Sequence, residues 1–175
     1  MSPTPLPTYA IAHGGGPWPW IKDQMGIDWA PLETSLAAIP HEVDVRPTAV
    51  LMVTAHWETP TFRLGSHRAP GMIYDYGGFP PETYTIEYPA PGHPETATAA
   101  AELLRDAGLP AELDPERGFD HGTFVPAFVM YPDASVPVVQ MSVRADFDPD
   151  AHLAAGRALA PLRERGVLIV GSGYP

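Results

Sequence analysis

At 175 residues, of which 45% are hydrophobic, the chain is long enough to close one core and too short to expect two. A formal net charge of -11, from 21 acidic and 10 basic residues, gives no electrostatic footprint for nucleic acid or an anionic membrane and leaves a small molecule as the default partner. The absence of cysteine excludes disulfide frameworks, thiolate zinc sites and cysteine nucleophiles, so any metal chemistry must use His, Asp or Glu.

The first seven residues carry no basic side chain and are broken by three prolines, and the apolar run 49–53 is far too short to span a bilayer. The expected location is therefore the cytoplasm. Residues 9–12 (YAIA) form a short apolar segment running straight into His13-Gly14-Gly15-Gly16, and residues 48–55 (TAVLMVTA) read as a strand buried on both faces. Residues 71–91 (GMIYDYGGFPPETYTIEYPAP) make a long aromatic loop with room for one short strand, and loops of that length are usually functional. A helix is expected over 94–107, stopped by Gly108, and a shorter one over 121–131 after the turn-like Gly118-Phe119-Asp120. Residues 136–143 (VPVVQMSV) and 167–170 (VLIV) repeat the unalternating, β-branched pattern of a buried strand. Between them, 149–165 reads as a helix that Pro161 kinks or divides and Gly166 stops. The 23 prolines, well above the ~5% of an average chain, lie scattered without repeat and argue for fixed loops. Four buried strands among helices predict one α/β domain over 1–175, with a mostly parallel or mixed central sheet and helices on both faces.

In such sheets ligands collect outside the carboxyl ends of the strands. His13 and His56 each directly follow a predicted strand, so a modest separation of the strands brings both imidazoles within reach of one ion at about 2.0–2.2 Å per bond. Glycines 14–16 let the backbone pass close to a ligand. The bland alternative for each is a strand-capping histidine bonded to a carbonyl. His121, between glycines near a helix start, is a candidate to sit neutral and exchange protons, against an equal claim as an N-cap or surface residue. Gly171-Ser172-Gly173 lacks the spacing of a nucleophile elbow. His41-Glu42 lacks a second histidine, because Val45 occupies that position. His41, His67, His93 and His152 are read as solvated.

Taken together, His13-Gly14-Gly15, Thr54-Ala55-His56-Trp57, residues 73–80 (IYDYGGFP), residues 88–92 (YPAPG) and residues 118–122 (GFDHG) resemble the class III extradiol ring-cleaving dioxygenases of the DOPA-dioxygenase type. The resemblance implies a metal-dependent enzyme that opens a catechol ring with dioxygen. It places the metal on His13 and His56 and makes His121 an acid/base, with iron(II) as the metal and zinc(II) as the alternative. Tyr74, Tyr76 and Phe79 of the aromatic loop are the expected substrate-binding wall, with plain core as their bland reading. The expected partners are a catechol and dioxygen, with no nucleic acid and no membrane, and a homo-oligomer compatible with all of this. Family members continue past a segment like 171–174 to a further metal-ligand histidine, so the chain is expected to be C-terminally truncated and, in isolation, poorly stable or self-associating. A non-catalytic or zinc-bound relative acting as a binding module is the alternative.

Overall fold

The computed structural model describes residues 4–173, so Met1 to Pro3 and the expected ending at Tyr174 and Pro175 lie outside the described residues. The chain begins with strand β1 (Thr8–Ala12), a one-turn helix α1 (Trp18–Ile21) and helix α2 (Ala30–Val43). Strand β2 (Ala49–Thr59) then turns into β3 (Phe62–Gly65). After the aromatic loop, which holds one 3-10 turn at Pro81–Thr85, come α3 (Pro94–Asp106), β4 (Ala111–Asp114) and α4 (His121–Met130). Strand β5 (Val138–Arg144), α5 (Pro149–Leu159) and β6 (Val167–Gly173) complete the described chain. The six strands form one sheet in the order β1-β6-β2-β5-β3-β4, parallel at every pairing except β3 on β5. This is the expected mixed, mostly parallel sheet.

Successive side chains of a strand point to opposite faces. Val50 and Met52 accordingly enter one core with Leu36, Ile39 and Val43 of α2 and Phe124 and Val125 of α4. Leu51 enters the other, with Ala97, Ala100, Ala101 and Leu104 of α3 and Ala155 and Leu159 of α5. Because both faces are covered, β2 reads as continuous apolar sequence rather than as alternation. Among the described residues no helix is long and apolar enough to cross a membrane.

Several elements differ from the sequence expectation. Helix α2 was not expected, because Pro31 and Pro40 punctuate it. Pro31 lies in the first turn, where no intrahelical N–H is needed, and Asp44 closes the helix in the left-handed region at φ 56°. Pro40 lies inside its last turn. Strand β2 runs past residue 55 to Thr59, with a register irregularity between Val53 and Glu58, so His56 lies on an irregular stretch of strand rather than after its end. The four-residue strands β3 and β4 are too short to carry a periodic signal. The helix expected over 149–165 divides at Pro161, its second part being the 3-10 segment Ala160–Arg165. Two histidines read as solvated have structural posts. His93 caps α3 by accepting from the Thr96 N–H at 3.2 Å. His152 accepts from the Arg144 N–H at 3.1 Å, bonds the Asp148 carbonyl at 2.7 Å and lies edge-on to Phe62.

Candidate metal centre

The carboxyl ends of β1, β6 and β2 meet the start of α4, and three histidines converge there. His13 directly follows β1, its N–H extending the ladder to the Gly173 carbonyl at 3.1 Å. His56 comes from β2, two strands away with β6 between, and His121 is the first residue of α4. One ring nitrogen from each lies within 4.8 Å of the other two. His13 and His121 are buried, whereas His56 keeps a side in solvent.

The loop after β1 is shaped around aromatic rings. Trp18, fully buried and stacked on Trp29 at 5.0 Å, donates its indole N–H to the His13 carbonyl at 2.8 Å. Gly14, at φ +77°, has this indole where a Cβ would stand, and Gly16, at φ +56°, has the Phe79 ring there. Each is glycine for two reasons at once, conformation and space.

Hydrogen bonds assign the His13 tautomer. The Ser172 hydroxyl has one proton and donates it to the Gly122 carbonyl. At 3.0 Å from His13 Nδ1, the same oxygen therefore accepts, so Nδ1 carries the ring proton and Nε2 is left with a bare lone pair. That Nε2 lies 2.9 Å from Nε2 of His56. On its far side His56 has Nδ1 3.5 Å from a carboxylate oxygen of Asp75. Without an ion the two rings share one proton at this distance, Nε2 of His56 donating to the bare Nε2 of His13; with an ion, both nitrogens can face it as lone pairs. Ligand atoms on two metal bonds of about 2.1 Å would be about 3.0–3.4 Å apart for bond angles from octahedral to tetrahedral, so the donor set fits a divalent ion. Neutral rings are also what ligation requires. Burial, with the neighbouring histidines adding to it, lowers His13 to about 4 and lowers His56 as well.

His121 is held differently. Its Nδ1 and its backbone N–H both meet Asp75 Oδ1, at 2.8 and 2.9 Å. Burial pushes the Asp75 carboxyl up, and its bonds to His121 more than offset this, leaving it below the ordinary carboxylate value. The helix start is anchored from below by Asp120, fully buried, which accepts from the Thr54 hydroxyl, Arg117 and the Gln140 amide, each at 2.9 Å. Thr54 Oγ in turn accepts from the His56 N–H at 3.1 Å.

Gly122 sets the spacing between α4 and β2. A Cβ on it would come within 2.7 Å of Thr54 Oγ and 2.8 Å of a His56 ring carbon. Gly122→Ala is therefore expected to displace His56 and lower metal affinity about tenfold, the low end of the ~1–3 kcal/mol typical of overpacking. Isothermal titration with metal checks this, and an unchanged affinity would show that the ring yields freely.

Of the expected wall, Tyr76 reaches the histidines, its ring centroid 5.7 Å from that of His121. Phe79 meets Tyr76 edge-on at 5.5 Å and covers Gly16. Tyr74 lies behind, against Tyr76, Tyr84 and Phe124. The hydroxyls of Tyr74 and Tyr76 donate to the Ile86 and Thr83 carbonyls, so both present ring rather than phenol. Burial raises the Tyr76 phenol to about 12. Sequence reasoning missed Ser172 and Asp75 as partners of the site, and Asp120 beneath it. Asp75 and Asp120 each lie within a motif that carries the resemblance, Asp75 between Tyr74 and Tyr76 and Asp120 next to His121.

A family model described as the catalytic LigB subunit of aromatic ring-opening dioxygenase matches residues 20–174. The chain is 44% identical over 178 residues to the dioxygenase tasH of Hapsidospora irregularis, covering 96% of this chain and 53% of that protein. It is 38% identical over 175 residues to the 4,5-DOPA dioxygenase extradiol of Escherichia coli, covering 99% and 60%. A solved structure of an uncharacterized protein from Escherichia coli K12 superposes with a TM-score of 0.66 at 36% identity, covering 81% of this chain and 52% of that one. The chain thus spans about half the length of the relatives it matches.

Proposed function

The chain belongs to the family of catalytic LigB subunits of aromatic ring-opening dioxygenases, and from that premise we propose that it carries the metal-binding part of an enzyme that opens a catechol ring beside its hydroxyls with dioxygen. The observation that carries the proposal is the convergence of Nε2 of His13 and Nε2 of His56, 2.9 Å apart, with His121 beside them. Iron(II) is the proposed metal, because a few nitrogen and oxygen ligands that leave positions open are the pattern of non-haem iron oxygenases. When bound, it brings catechol and dioxygen together and carries electrons between them.

The protein's own residues do the rest. Ser172 and the Gly122 carbonyl hold His13 in one tautomer. His121, with Nδ1 committed to Asp75, has Nε2 free to take a proton from a substrate hydroxyl and return it later. Tyr76 and Phe79 line the approach with ring surface that suits a flat aromatic substrate. The substrate class follows from the name of the Escherichia coli relative, since DOPA is a catechol. The three-histidine grouping favours a second reading, in which His121 is a third nitrogen ligand.

Anaerobic purification of the full-length protein should give close to one iron per chain, with oxygen uptake on at least one member of a catechol panel. His13→Ala and His56→Ala should each lose both. Tightly bound zinc without oxygen uptake on any catechol would replace this reading with that of a binding module.

A further inference from the structure

One carboxylate touches two of the three histidines. Asp75 Oδ1 accepts from Nδ1 of His121 at 2.8 Å and from the backbone N–H of the same residue at 2.9 Å, while Oδ2 lies 3.5 Å from Nδ1 of His56. That backbone N–H belongs to the first turn of α4, whose donors the helix cannot itself satisfy. A single oxygen therefore holds both the ring and the start of the helix that carries it.

The aromatic loop keeps Asp75 in place. The Ile73 N–H donates to the Phe119 carbonyl at 2.7 Å and the Phe119 N–H to the Gly71 carbonyl at 2.8 Å, stitching the loop to the segment that leads into α4. A Cβ at Gly118 would stand 2.6 Å from the Gly71 oxygen, so this approach needs glycine there. On either side of Asp75, Tyr74 and Tyr76 tie their hydroxyls to the loop's own carbonyls. The loop thus acts as a mount for one side chain as well as a wall.

We infer that Asp75 is a positioning residue for ring opening: it locks His121 in the tautomer that carries the proton on Nδ1 and offers Nε2 to the site, and it sets a second oxygen behind His56. A carboxylate behind a functional histidine fixes ring orientation and tautomer, and its removal typically costs about 10–100-fold in activity or metal affinity. The inference rests on the proposed acid/base role of His121.

In the full-length protein, Asp75→Ala is expected to lower kcat about 10–100-fold with little change in KM for a catechol. Asp75→Asn keeps an oxygen that can accept from Nδ1–H and is expected to recover most of that loss. With nitrogen-15-labelled histidine in the metal-free protein, His121 should show a protonated Nδ1 and bare Nε2 in the wild type and Asp75→Asn, and mixed tautomers in Asp75→Ala. An unchanged kcat in Asp75→Ala overturns the inference, as does an unchanged His121 nitrogen spectrum or an equal loss in both variants. A wild-type protein without oxygen uptake would remove the catalytic reading instead, and the nitrogen spectra would still decide whether Asp75 sets the tautomer.

Discussion

Replacing His121 with alanine lowers turnover by about 10²–10⁴ while the metal content of the full-length protein stays near that of the wild type. The range is the usual one for a positioned acid/base and corresponds to about 2.7–5.5 kcal/mol of barrier. Its basis is the different way the three rings are held. His13 and His56 have their Nε2 atoms 2.9 Å apart, close to the ~3.0 Å of two atoms at a right angle on one ion. His121 sits at the head of α4, turned by Asp75, with its ring centroid 4.1 Å from that of His56 and 5.2 Å from that of His13. Metal analysis and steady-state oxygen uptake on the same preparation decide the matter. If metal leaves together with activity, His121 is a ligand and the proton traffic belongs to another group.

The second expected result concerns stability. Asp120→Ala should cost about 3–5 kcal/mol, the range for breaking a buried ion pair from one side. Asp120 is fully buried, and the substitution strands the Thr54 hydroxyl, the Arg117 guanidinium and the Gln140 amide, all of which now donate to it. Burial pushes the Asp120 carboxyl up, and Thr54 and Arg117 pull against that. Arg117 would keep its stacking over Trp57, 4.8 Å from the ring centroid, but would lose its anion. Because Thr54 also accepts from the His56 N–H, the loss should reach the site as weaker metal binding. Urea unfolding of Asp120→Ala and Asp120→Asn checks this. The asparagine retains one acceptor and should suffer less, and a loss below about 1 kcal/mol in the alanine variant would mean the network relaxes into water.

His13 and His56 were legible because a parallel sheet gathers its strand ends on one side, so two histidines at the ends of apolar runs are brought toward each other by topology alone. Helices α3 and α5 were legible from proline at their starts, with Gly108 past the end of α3 and Gly166 past the 3-10 segment that continues α5. What was not legible depended on order in space. No pattern in the chain places β6 between β1 and β2, and without that placement Ser172 is only a serine in a glycine-rich ending rather than the acceptor for His13. Asp75 and Asp120 were hidden for a related reason. A carboxylate's task is defined by the donors around it, and those come from residues 54, 56, 117, 121 and 140. Helix α2 was missed because its two prolines are local stop signals: Pro31 is harmless in the first turn, whereas Pro40 costs the helix one backbone donor near its end and is tolerated there.

The strand order also has a consequence in time. Among the described residues β1 pairs with β6 and no other strand, and His13 is linked to Ser172 across a sequence separation of 159 residues. On the ribosome, at roughly 5–20 residues per second, the first histidine emerges about 8–30 s before the strand that seats it. The β1 segment has no sheet neighbour during that interval, and long-range parallel pairing is slow to form. Residues 49–53 and 138–141, next to each other in the finished sheet, are able to pair while β1 still waits. His13 is thus the first of the three histidines to be made, while Ser172, the partner that holds its ring, is made after all three. Until β6 is made, His13 lacks the Ser172 oxygen that orients its ring, so the timing of synthesis favours metal loading after the sheet has closed.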